Sequence, residues 1–367
     1  MVSRLKMRIF QNSSVYPSYR LRLRALTAGA KSFDEAIAAF LDDRFGAPHF
    51  LRPVLDGSRD AFFTNGDDEV VQRMWADENG LSSGTSLEDI LLAQIEDHRT
   101  EVFYNLDPMR YGDAFLARLP GSVRKTIAWR AAPSDRGAFL KYDLIVNNFP
   151  SLLEGYRASG ARAEFFAPAH DPAMDAYATT ADRPIDVLFV GTYSRHHRNR
   201  AAMLQTIASL RKDMTVAMCL DVSRYTRLAE TPLGWVGPLR KDRRNRDLRA
   251  VSRPPVFGRD LLAVLGGAKI VVNGAIDMAG HDRGNMRVWE SLGCRAALVS
   301  DQGIYPPGMD EGIHFQTYGT TENLRKLLLE MVADQTATSQ LATRGNTMIR
   351  SLYSKDRQWE RFAELAS

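Results

Sequence analysis

The feature that most constrains this chain is an alternation of short β-type apolar runs with longer amphipathic stretches, carried through twice. In the first round Met7–Phe10, Ala61–Asn65, Val102–Leu106, Thr126–Trp129, Leu144–Asn147 and Ala163–Phe166 read as strands. Between them, Asp68–Glu78 and Leu87–His98 repeat apolar residues at three and four, the spacing of one helix face. Around Asp171–Arg183 the periodicity lapses into Asp, Pro, Ala and Thr, which reads as a hinge. The second round has strands at Asp186–Val190, Thr215–Leu220, Ile270–Val272, Ala297–Ser300 and His314–Thr317. Its helices are Arg198–Leu210, Leu261–Leu265, Met286–Leu292 and Leu324–Val332. Strand followed by helix, repeated, argues for an α/β fold with parallel sheets and crossover helices. Two such halves predict two Rossmann-like domains facing each other across a cleft, over residues 1–175 and 176–352. A helical tail in 353–367 is expected to cross back onto the first domain.

The length of 367 residues suits two domains, and 44% hydrophobic with 25% charged residues is a globular composition. The longest apolar runs fall far short of the ~20 residues that span a bilayer. The N-terminus is basic but has no apolar h-region, so no signal peptide is read and a cytoplasmic protein is expected. Two cysteines, Cys219 and Cys294, exclude a disulfide framework and read as buried thiols. The net charge of +4 allows anionic partners without calling for nucleic acid.

Three segments carry candidate chemistry. The first is Gly280–Cys294, between two strands of the second half. Gly284 and Asn285 suit a turn feeding a helix, with Asn285 as its N-cap. The start of a helix offers free N–H groups and a positive dipole end to a phosphate. Asp282 on the loop and Glu290 on the helix can accept hydrogen bonds from vicinal hydroxyls. An ordinary strand–loop–helix unit with solvated charges would read the same way. The second segment is the end of the first strand, Gly191 and Thr192, followed by Arg195, His196, His197, Arg198 and Arg200. Ligands of open α/β sheets bind at the carboxyl ends of strands, and arginines can neutralise a diphosphate. A plain strand end before a solvated basic helix is the alternative. Adjacent histidines diverge and no spaced third ligand follows, so no metal site is expected. The third segment is the basic run Arg240, Lys241, Arg243, Arg244, Arg246, Arg249 and Arg253. It reads as a solvated surface loop, or as a contact for anionic lipid at the inner face of the membrane or for a phosphorylated acceptor. In the first half Asn12–Ser14, Asn65–Asp68 and Asp107 follow strand ends, and His170 lies at the hinge. No G-x-G-x-x-G, P-loop, nucleophile elbow or H-E-x-x-H occurs, which weakens dinucleotide, P-loop, hydrolase and zincin readings.

The segment Gly258–Asp301 resembles the C-terminal part of bacterial glycosyltransferases of the CgeB-like group, related to the "glycosyl transferases group 1" proteins. The likeness rests on Ile270–Asn273, then Asn285, Arg287 and Glu290, then Leu298–Asp301. More loosely, Asn65–Gly80 and Leu91–Pro108 are similar to the group's first half. The resemblance implies a GT-B fold and sugar transfer from a UDP-, GDP- or dTDP-linked donor. The acceptor would be a glycan, a lipid-linked glycan or a protein. Retaining GT-B enzymes often show E-x7-E; this chain has Asp282-x7-Glu290, with Arg283 where that motif usually has Gly. The resemblance implies donor-sugar contact by Asp282, contact with the nucleotide by Asn285 and Glu290, and no essential divalent ion.

On this reading the donor diphosphate lies between Gly191–Thr192 and the helix that starts at Asn285. Arg195, Arg198 or Arg287 would offset its charge. An inverting reaction needs a base at the acceptor hydroxyl, for which Asp107 and His170 are the candidates. Two other activities suit the same residues: epimerisation of a nucleotide sugar, and binding of a sugar nucleotide or glycan without catalysis.

Overall fold

A computed structural model describes residues 7–135, 137–235, 238–274 and 280–367. The basic start, Met1–Lys6, and residues 275–279 of the loop before Gly284 lie outside the described residues. The chain divides into two compact units, Met1–Pro168 with Lys355–Ser367, and Ala169–Ser354.

The first unit is built on six parallel strands: β1 (Ile9–Ser13), β2 (Ala61–Asn65), β3 (Val102–Asn105), β4 (Lys125–Trp129), β5 (Leu144–Asn147) and β6 (Ala163–Phe165). Their order is β2-β1-β3-β4-β5-β6. Strand β1 is buried on both faces from Ile9 to Asn12, as expected of a central strand covered by helices on either side. Phe10, Phe103, Leu91, Ile95, Tyr111 and Phe115 form one core cluster. Ala128, Ile145, Leu153 and Tyr156 belong to another. His98 is buried, and desolvation pushes its imidazole down to about 4. The folded chain therefore keeps His98 neutral, while the unfolded chain takes up a proton below about 6.5. Stability is expected to fall as pH drops from about 6.5 to about 4, and His98→Asn should flatten that part of a urea-midpoint profile.

The final helix, Lys355–Ala366, belongs to this unit. Its first residue is a buried lysine. The Lys355 ammonium donates to the carbonyls of Ala47 (2.8 Å), Pro48 (3.2 Å) and Phe50 (2.6 Å), and to Gln358 Oε1 (3.2 Å). Further along, Phe362 packs on Tyr104 and Phe166.

The second unit repeats the plan with β7 (Ile185–Tyr193), β8 (Val216–Val222), β9 (Ser252–Arg253), β10 (Ala268–Val272), β11 (Ala297–Asp301) and β12 (Gln316–Tyr318). All pair in parallel, in the order β12-β11-β10-β7-β8-β9. Alternate residues of β7 feed the two cores: Val187 and Phe189 one, Leu188 and Val190 the other. Strand order reverses between β7 and β10, and this is the switch point where ligands of such sheets bind.

The structure adds helices at Arg20–Thr27, Phe33–Asp43, Pro150–Ala158 and Gln335–Leu352, and the short strand β9. It also corrects the hinge. Asp171–Arg183 is no open linker: Met174 is fully buried, and Arg183 donates to the carbonyls of Ala268 (2.8 Å) and Cys294 (3.1 Å). Polar composition there serves a docked segment whose arginine closes off carbonyls of its own unit.

Candidate functional site

The carboxyl ends of β7 and β10 gather a set of polar groups. Gly191 and Thr192 lie within the end of β7, and Asn273 and Gly274 follow β10. The helix Arg198–Ser209 returns across them. On it Arg200, Met203, Leu204 and Ile207 share the buried face at i, i+3, i+4 and i+7. Arg200 consequently points inward: its Nη1 donates to Thr192 Oγ1 at 3.3 Å, and its Nη2 donates to the Gly274 carbonyl. One buried guanidinium thus ties both sides of the switch point.

The expected diphosphate cations are placed differently. Arg195 is ion-paired with Asp242, and Arg198 is exposed at the first turn of its helix. Arg200 is the cation that reaches between the strand ends. Its place on the apolar face of the helix was the sequence signal for it.

The helix Met286–Gly293 starts beside the same point. Gly284 enters at φ +138°, a conformation open to glycine. Asn285 is the N-cap residue, but its side chain makes no capping bond; Nδ2 donates instead to Asn273 Oδ1 at 3.1 Å. Val288, Trp289 and Leu292 bury the helix against the core. Glu290 is also buried, and accepts a 2.6 Å hydrogen bond from Arg287 Nη1. Arg287 therefore holds Glu290 in place through its Nη1. Asp282 is 3% exposed, and its backbone bridges Ile304. Arg283 braces this loop, paired with Asp301 at 2.7 Å and donating to the Gly280 and Asp282 carbonyls at 2.9 Å each. Asp282 and Glu290, which the ordinary strand–loop–helix reading would leave solvated, are in fact buried.

His170 is not part of this arrangement. A Cβ on Gly293 would stand 3.1 Å from His170 Nδ1, so the histidine packs at the last turn of the helix Met286–Gly293. That end lies about 12 Å from Asn285, at 1.5 Å per residue. His170 Nε2 meets Asp175 Oδ1 at 3.0 Å, and burial pushes the imidazole below its ordinary value against the pull of Asp175. Its ring is thus engaged with Asp175 and packed at the far end of that helix from Asn285.

In the first unit the switch point falls between β1 and β3. Asp107 follows β3 there, accepts the Ser14 hydroxyl, and is set by its own N–H donating to Asn105 Oδ1 at 3.0 Å. Asn12 bonds Asn105 at 2.9 Å, while Asp67 and Asp68 are paired with Arg20 and Arg24. Asp107 is thus the partly exposed carboxylate of this edge, and its neighbours Asp67 and Asp68 are closed in.

Of the basic run, Arg244 turns inward to a bidentate pair with Glu230 (2.6 and 2.8 Å), and Arg243 donates to the Ala229 carbonyl at 2.9 Å. Arg240, Lys241, Arg246 and Arg249 are exposed. Among the described residues no group of three His, Cys, Asp or Glu is placed to hold a metal ion. No described helix is long and apolar enough to cross a membrane.

Residues 196–364 match a family model described as "Glycosyl transferase-like", a broader description than the CgeB-like group. No curated protein sequence matches the chain. Among solved structures the chain is similar to Anabaena Alr3699/HepE, described in complex with UDP and glucose, at 12% identity and a TM-score of 0.59. That likeness covers 98% of this chain and 99% of the other. A glycosyltransferase from Rickettsia africae ESF-5 gives 8% identity and a TM-score of 0.59, over 99% and 98%. AviGT4, a glycosyltransferase involved in avilamycin A biosynthesis, gives 15% and 0.55, over 98% and 96%. At such identities the structural likeness carries the fold, and the family model carries the activity class. The chain is a glycosyltransferase with the GT-B fold, its glycosyl transferase-like domain occupying residues 196–364.

Proposed function

We propose that this enzyme transfers a sugar from a uridine diphosphate-linked donor to a hydroxyl of a glycan, a lipid-linked glycan or a protein, without an essential metal ion. The observation that carries the proposal is the meeting of Arg200, Thr192 and Gly274 at the switch point of the second unit. The opening turn of the helix Met286–Gly293 stands beside it, at Asn273. Backbone N–H groups with the positive end of a helix dipole suit a diphosphate, and a buried arginine adds full charge. The choice of uridine follows the HepE structures, which are described as complexes with UDP and with UDP-glucose.

In the reaction the acceptor oxygen bonds to the anomeric carbon. The bond from that carbon to the diphosphate oxygen breaks, and its electron pair leaves with the diphosphate. Fixed N–H groups and a guanidinium at that oxygen lower the barrier most, since they need no reorganisation as charge develops. The acceptor proton goes to a carboxylate, for which Asp107 is our candidate, or to the leaving diphosphate itself. Glu290, fixed by Arg287, is our candidate for the ribose hydroxyls and Asp282 for the donor sugar.

A thermal-shift screen against UDP, GDP and dTDP, with and without magnesium, tests the reading. At about 100 times its dissociation constant a ligand adds roughly 2.7 kcal/mol. The expected result is a shift with UDP that magnesium does not change. A shift with GDP alone would replace the base, and a shift only with magnesium would remove the metal-independent part. No shift with any nucleotide would sink the proposal.

A further inference from the structure

Residues 221–253 carry nine lysines and arginines against four acids, a larger excess than the +4 of the whole chain. The four acids are engaged within their own unit. Glu230 is held by Arg244, Asp242 pairs with Arg195, Asp247 with Arg211 at 2.8 Å, and Asp221 stands 3.9 Å from Arg227. The surplus is therefore cationic and lies at the surface.

The helix Arg224–Ala229 shows what accompanies it. This helix buries Thr226 and Ala229, three residues apart, against its unit. Helical geometry then puts Arg224 and Leu228 on the opposite face, with Tyr225 and Arg227 at its flanks. Tyr225 is 52% exposed and Leu228 42%. The Arg224 guanidinium lies 4.9 Å from the centroid of the Tyr225 ring and donates to its hydroxyl at 3.0 Å. The segment Pro238–Asp242 packs against this helix. Next to it, Arg243 Nη1 fastens the chain to the carbonyls of Ala229 (2.9 Å) and Thr231 (3.3 Å). Arg240 and Lys241 of the packed segment are left exposed. Arg249 is exposed as well, within electrostatic reach of Glu230. Two outward apolar side chains thus stand among cations that no local acid neutralises.

A dissolved anion would use the cations and leave Tyr225 and Leu228 in water. An apolar protein surface would do the reverse. The surface of an anionic bilayer matches both: its phosphates attract lysine and arginine, while aromatic rings and aliphatic chains settle at headgroup depth. The long stems of the basic residues can lie along the apolar part as their heads reach phosphate.

We propose that this face of the second unit docks on an anionic phospholipid bilayer, with Tyr225 and Leu228 entering the headgroup layer and Arg224, Arg227, Arg240, Lys241 and Arg249 meeting lipid phosphates. The inference does not rest on the donor reading, and either can fail without the other.

Co-sedimentation of the full chain with vesicles tests it. Vesicles of equal parts phosphatidylcholine and phosphatidylglycerol should bind the chain, and phosphatidylcholine alone should not. Arg240→Gln/Lys241→Gln should weaken binding by about fivefold for each charge removed. Arg325→Gln/Lys326→Gln removes two exposed charges from the helix after the far edge strand β12 and should leave binding nearly unchanged. Tyr225→Ser/Leu228→Ser keeps every charge and should still cost about tenfold, from apolar area no longer withdrawn from water. All these positions are exposed, so equal melting temperatures verify that the variants fold. A wild-type chain that binds neither vesicle, or both equally, overturns the inference. So does an equal loss in the two charge variants, which would make the attraction one of net charge alone. Undiminished binding by Tyr225→Ser/Leu228→Ser overturns it too. Millimolar glycerol phosphate should release no more protein than sodium chloride of the same ionic strength. Specific release would make a single phosphate group, as on a phosphorylated acceptor, the occupant in place of a bilayer.

Discussion

Replacing Glu290 with alanine is expected to lower the unfolding free energy by about 3 kcal/mol and to abolish measurable sugar transfer. The side chain of Glu290 is 5% exposed and that of Arg287 is 17% exposed, with 2.6 Å between their charged atoms. Removing one member of such a pair strands the other's charge in a poorly solvated site, which costs about 3–5 kcal/mol in buried pairs. Arg287 keeps some contact with water, hence the lower end of that range. Glu290→Gln keeps the volume and one acceptor oxygen, and should lose less than half as much. Urea unfolding of the three proteins measures the first effect, and a sugar-transfer assay with the donor measures the second. If alanine left stability unchanged, the pair would be ornamental to the fold and Glu290 would act on the ligand alone.

Lys355→Met is expected to cost about 3–5 kcal/mol in the same measurement, with no direct effect at the switch point of the second unit. Methionine matches the length of the stem but leaves the carbonyls of Ala47, Pro48 and Phe50 without their shared donor. Each buried carbonyl left bare costs about 1–3 kcal/mol. Relief from burying an ammonium offsets part of the sum. A variant as stable as wild type would show that relief to be complete.

The strand pattern of both halves was legible because a parallel strand covered on both faces is a nearly unbroken apolar run. Ile145 and Val146, or Val271 and Val272, could hardly sit elsewhere. Helix Arg198–Ser209 and helix Met286–Gly293 were legible by their spacing, and the family likeness concentrated on Asn285–Glu290. Less could be read where polar residues go inside. Asp282, Glu290 and Asp171 look like surface residues in any one-dimensional reading, yet all are buried.

The sequence by itself determined that this chain folds as two α/β halves, because apolar periodicity is set by local backbone geometry and needs no distant partner. It also singled out the stretch in which the donor site is proposed. Only the tertiary structure decided which charges are engaged and which helix start is uncapped. Those outcomes depend on partners far apart in sequence: Arg200 on Gly274, Asn285 on Asn273, Lys355 on Ala47. Hydrogen bonds act over about 3 Å of space whatever the separation along the chain. Their pattern exists only once the strands have brought those residues together.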